Sequence, residues 1–140
     1  MKRLLMNPGG ATGGASVGLL FMRMIAGGLM LYCHGLPKWT KYAAKSESFP
    51  DPLGVGSPVS MGLAICSELV CSGLVVLGLC TRWAAFILVF TMLVAAFMVH
   101  GDDPFKKKEF ALVYMAPFLA LMFTGAGRVS IDAALSPKSE

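Results

Sequence analysis

Six polar side chains stand at positions where a chain this apolar has little use for them: Arg23, His34, Lys38, Glu68, His100 and Glu109. As residue types they form a set that handles protons and oxygens. Glutamate and histidine take and give protons, while arginine, lysine and histidine donate hydrogen bonds to a carbonyl or anionic oxygen. Arg23, Gly27, His34 and Lys38 recur at i, i+4, i+11 and i+15, one stripe of a regular α-helix. His100 and Glu109 flank the turn "GDDPFKKK".

The elements that must position these groups follow from composition. The chain has 140 residues, 56% hydrophobic and 14% charged, with a mean hydropathy of +0.68. A soluble domain of this length has no core large enough to hide so much apolar surface, so a bilayer is the expected solvent. Four runs approach or reach the length that crosses a ~30 Å hydrocarbon layer as a helix. They lie at about 16–36, 58–79, 83–100 and 109–127. Backbone amides in lipid must be bonded internally, which makes each run helical. Short second and third connections make the last three helices antiparallel neighbours. The expected architecture is an all-α, integral membrane, antiparallel four-helix bundle over 16–135. A flexible Gly-rich leader over 1–15 and a polar tail over 136–140 flank it. The leader lacks the apolar core of a cleavable signal peptide. Pro58 suits a helix start, and Pro117 predicts a kink in the fourth helix. Trp39, Tyr42 and Phe49 in the first connection are expected at headgroup depth.

An ionisable group at the bilayer centre costs ~2.5–3.5 kcal/mol and calls for a partner. Arg23 and Glu68 lie near the middles of the first and second helices, and at 1.5 Å per residue their depths agree to about 5 Å. An Arg23–Glu68 pair is therefore predicted. His34, Lys38, His100 and Glu109 gather at one end, so with the deeper Glu68 they can line a pocket entered from one membrane face. Ala85 and Ala96, on the stripe of His100, and Ala116 and Ala120, on that of Glu109, would let helices approach closely. Lys106 to Lys108 are expected as headgroup anchors.

The net charge of +4 lies at helix ends without interleaved aromatics, which argues for lipid headgroups and against nucleic acid. Lysine and arginine are almost evenly divided between the two sides, so charge alone leaves the orientation open. Cys33, Cys66, Cys71 and Cys80 show no CxxC or zinc spacing and are expected as small buried hydrophobes. A metal site of His34, His100, Glu109 and Glu68 has acceptable ligands. These residues contain no HExxH or ExxH pair, and no metal is expected.

The segments "RMIAGGLMLYCHGLPKW", "FPDPLGVGSPVSMGLAICSELVCSGLVVLGLCTRWAA", "MVHGDDPFKKKEFALVYM" and "GAGRVSID" resemble the DoxX family of small four-helix membrane proteins, over about residues 20 to 134. Members are similar to the small subunit of a thiosulfate:quinone oxidoreductase. The resemblance implies a multi-pass protein of the bacterial inner membrane with cytoplasmic N- and C-termini, and His34, His100 and Glu109 on the outer side. It implies a subunit of a membrane redox complex whose pocket holds a quinone or small sulfur anion. Arg23, His34 and Lys38 would then bind substrate, and Glu68, His100 and Glu109 would move protons. No haem, flavin or iron–sulfur motif is present, so electrons would come from a redox partner protein and no cofactor is intrinsic. The alternatives are a non-catalytic accessory or assembly subunit, and a small anion or proton carrier.

Overall fold

The computed structural model describes residues 13–136, so the leader's first twelve residues and the last four of the tail lie outside the described residues. Within them all the regular secondary structure is helical, with no strand. Helix α1 spans Gly13–Thr40, starting three residues earlier and ending four later than its apolar run suggests. A short α2, Tyr42–Lys45, and a 3-10 turn, Ser46–Ser48, follow it. The other long helices are α3, Ser57–Leu77, α4, Thr81–Val99, and α5, Phe105–Thr124, and a one-turn α6, Ile131–Leu135, ends the described chain. Helices α1, α3 and α4 are long and apolar enough to cross a membrane. Helix α5 is as long as a span, but its first turn carries Lys106 to Glu109.

The joints have local causes. Pro58 sits in the first turn of α3, where its missing N–H leaves no hydrogen bond unmade. Gly78 ends that helix in the left-handed region at φ 70°. There the Leu79 N–H bonds back to the Leu74 carbonyl, as a glycine helix end allows. Only three residues then separate α3 from α4, which run antiparallel and pack together. Helix α5 continues unbroken through Pro117.

Met30, Val75, Ala85, Leu88, Ala96, Phe118 and Leu121 fill the centre. Large apolar side chains such as Phe21, Phe97 and Phe123 face outward. An apolar exterior of this kind suits lipid, where association rests on close packing rather than on hydrophobic exclusion. Ala85 and Ala96 are fully buried as expected of helix contacts, but Ala116 is exposed. The face α5 turns inward is that of Ala111, Phe118 and Leu121, so the stripe of Glu109 and Ala116 points away from the bundle.

Four π-helical turns interrupt the long helices: Arg23–Gly27 and Met30–Gly35 in α1, Cys66–Cys71 in α3 and Ala95–Val99 in α4. Each widens the turn to an i→i+5 repeat and shifts the phase of everything beyond it.

Candidate functional site

The site begins at a point where two backbones touch. A Cβ on Gly35 would lie 2.7 Å from the carbonyl carbon and oxygen of Glu68 and from the Leu69 nitrogen. Only glycine permits α1 and α3 to meet this closely. One turn further along α1, the Lys38 ammonium donates to the Glu68 carboxylate at 2.5 Å. Glu68 is buried, its side chain 8% exposed, while Lys38 is 25% exposed. The ion pair therefore closes the α1–α3 contact with its glutamate side dry.

This overturns the predicted Arg23–Glu68 pair. Gly35 sets Glu68 level with the far part of α1, and Gly27 lies against Ser72, Val75 and Val76. Arg23 is twelve residues from Gly35, about 18 Å along a regular helix. Matching depths from helix ends failed because α1 ends at Thr40 and its two π turns break the regular stripe.

Two cavities adjoin the pair. The first, about 430 Å³, is lined by His34, Lys38, Lys41, Lys45 and Ser48 among others. The second, about 440 Å³, has mostly apolar walls from α3, α4 and residues 49–53, with Lys38, Glu68 and His100 among its polar members. Lys38 is common to both. Phe49, expected at headgroup depth, also lines both. The segment that carries it is pinned by Asp51, which accepts from the Ser60 hydroxyl at 2.6 Å and from the Gly56 and Val55 amides. Those donors, the Ser60 hydroxyl first, hold the Asp51 carboxyl below the usual carboxylate range. Beside the second cavity the Ser67 hydroxyl bonds Thr91 at 2.7 Å.

His34 packs its ring against Tyr114 at 5.3 Å and Phe110 at 6.0 Å. His100 Nδ1 donates to Asp103 at 2.8 Å, and Lys107 binds the other oxygen of the same carboxylate at 3.0 Å. The bond from His100, with Lys107 second, keeps Asp103 below the ordinary carboxylate range. An ionised carboxylate only accepts, so Nε2 is the nitrogen of His100 left for proton transfer. Glu109 is exposed and lines neither cavity. Of the neighbouring lysines, Lys108 is half-buried and donates to the Gly101 carbonyl just beyond α4, a helix-end role instead of the headgroup one expected. Among the described residues no three histidine, cysteine, aspartate or glutamate side chains converge as metal ligands.

Arg23 belongs to a second polar centre at the other end of the bundle, and the expectation that it joins His34 and Lys38 in one pocket is corrected. It is 1% exposed, and its guanidinium donates to the Ala126 carbonyl at 2.8 Å and the Val129 carbonyl at 2.7 Å. The buried Asp132 acts on it electrostatically. Asp132 also accepts from the Cys80 and Thr81 amides at 2.8 and 3.0 Å, thereby capping α4. Gly78 makes room, since a Cβ there would meet Arg23 Nη1 at 2.4 Å and Ser130 Cβ at 2.6 Å. Sequence reasoning missed Asp132. Of the cysteines, Cys71 is buried but Cys33 and Cys66 are exposed, contrary to their reading as core residues.

The DoxX family model matches residues 18–101, from α1 to the end of α4. Two uncharacterized proteins of Haemophilus influenzae are similar to the chain. One is 34% identical, covering 81% of this chain and 87% of the relative. The other is 28% identical, covering 85% and 83%. No solved structure matches.

Proposed function

Because the chain belongs to the DoxX family and is a membrane protein with several long apolar helices, we propose that it serves a membrane redox complex and holds a quinone head group in the second cavity. The observation that carries this reading is the make-up of that cavity: apolar walls around one buried ion pair and one histidine. A quinone ring needs a dry slot for its carbons and a few placed polar groups for its two carbonyl oxygens. The Lys38 ammonium and His100 are those groups.

Reduction of a quinone to a quinol consumes two electrons and two protons. In this reading the electrons arrive from a partner chain. Lys38, held by Glu68, and His100, held by Asp103, supply protons to the two oxygens and recover them from solvent through the exposed side of each pair. Glu109 and Arg23 take no part in this chemistry. His34 faces the first cavity and serves at most as its donor. The family resemblance favours the bacterial inner membrane, cytoplasmic termini and cavities opening toward the outer side.

The test is binding of a short-chain ubiquinone analogue to the purified full chain in nanodiscs. Glu68→Gln and Lys38→Met are each expected to weaken binding about tenfold or more, as loss of a charge-assisted contact does. No measurable binding by the wild-type chain, or equal binding by all three, ends the proposal. The backbone contact at Gly35 favours one alternative, in which the Lys38–Glu68 pair fixes helix register for an accessory subunit. In that case Glu68→Gln would abolish co-purification of a partner complex from native membranes while no quinone analogue binds.

A further inference from the structure

We propose that the first cavity binds a phosphate-bearing anion, either the phosphodiester of an anionic lipid head group or free inorganic phosphate. This stands apart from the quinone reading, because it concerns another cavity and another class of ligand. Its polar lining is His34, Lys38, Lys41, Lys45 and Ser48, and no acidic side chain lines it. Lys38 is neutralised by Glu68. Lys41 and Lys45 have no carboxylate within ion-pair distance among the described residues. The cavity thus presents two uncompensated ammonium groups and an imidazole around about 430 Å³, while the Ser48 hydroxyl donates to the Lys45 carbonyl at 3.3 Å.

Lysines near a helix C-terminus are favoured by the macrodipole, which accounts for their presence at the end of α1 and in α2. It does not require them to ring a concavity. A tetrahedral phosphate accepts hydrogen bonds from many directions, and an ammonium is a compact point charge with three N–H groups to give. The stretch also carries Trp39 and Tyr42, both exposed, as side chains at headgroup depth are. A phosphodiester could enter here with its glycerol outward, while its acyl chains lie along the apolar exterior.

The experiment places the full chain in phosphatidylcholine nanodiscs containing a minor share of phosphatidylglycerol and counts retained phosphatidylglycerol by native mass spectrometry. Inorganic phosphate is added in a parallel arm. The wild-type chain is expected to retain phosphatidylglycerol selectively. The double variant Lys41→Gln/Lys45→Gln should weaken that retention about 25-fold, a factor of about five for each lysine at an anionic surface. Both lysines are exposed, so the variant is expected to keep its fold, checked by its melting temperature. Retention that survives excess phosphate identifies the lipid as the source, and displacement by phosphate identifies the free anion as a ligand of the same site. Equal retention by wild type and double variant overturns the proposal. So does an equal loss in Lys106→Gln/Lys107→Gln, whose lysines line neither cavity.

Discussion

Replacing Gly35 with alanine tests the contact on which the polar site is built. The new Cβ would stand 2.7 Å from three backbone atoms of Glu68 and Leu69, and ordinary contact begins at 3.4 Å. The neighbour is backbone and cannot swing aside, so α1 and α3 must part locally by about 0.7 Å. Overpacking of this kind costs about 1–3 kcal/mol. At ~2–4 °C per kcal/mol for a chain near this size, the melting temperature should fall by about 2–12 °C. The matched control is Gly28→Ala, on the same helix, where an added Cβ meets nothing within 4 Å. There alanine should be neutral or raise stability by up to about 1 kcal/mol, because it restricts the unfolded chain. Both variants would be melted in the same detergent and followed by circular dichroism. A melting temperature for Gly35→Ala equal to wild type, or a fall no larger than that of Gly28→Ala, refutes the argument that this glycine sets the spacing.

Lys38→Met strands the Glu68 charge in a buried place and is expected to cost about 3–5 kcal/mol, while Lys38→Met with Glu68→Leu recovers most of it. A double-mutant cycle measured by denaturation decides this, and additive losses would argue against the pair. Asp132→Ala removes both the acceptor of the Cys80 and Thr81 amides and the carboxylate facing buried Arg23, and should cost more than the ~1–2 kcal/mol of a lost cap, with Asp132→Asn losing less because it keeps one acceptor oxygen. Thermal melts of the two variants side by side check the order. The depressed Asp51 carboxyl gives a sign for pH. Its stabilisation of the 49–53 segment is fully present above the ordinary value of about 3.9 and is lost only as pH falls through the lower folded value. Carboxyl-carbon NMR should therefore show Asp51 titrating below the usual range in the wild-type chain and nearer to it in Ser60→Ala, and the same midpoint in both would count against the Ser60 bond as the cause.

Length and apolarity of the runs made the four long helices legible, and Pro58 and Gly78 mark joints where the backbone chemistry requires them. The polar end that gathers Lys38, Glu68 and His100 around one cavity was also within reach of depth reckoning. Which residue pairs with which was not. A stripe counted at 3.6 residues per turn assumes a regular helix, and π turns at Arg23–Gly27 and Met30–Gly35 turned Arg23 and His34 to different neighbours. No sequence rule announces such turns. Glu109 was placed by its end of the bundle, but not by its face, and α5 turns that face outward. Asp132 did leave a signal. The connection between α3 and α4 is only three residues long and offers no side-chain cap of its own. The exposed amides of a helix start therefore had to find an acceptor elsewhere.

The bonds of Arg23 to Ala126 and Val129 span 103 and 106 residues of sequence. During synthesis at about 5–20 residues per second, α1 is made roughly 5–20 s before its acceptors exist. Throughout that interval its guanidinium has none of its final partners. The first helix can be threaded early, but it cannot be finished early, and a chain truncated before residue 126 would carry an arginine that its own membrane-embedded helix cannot satisfy.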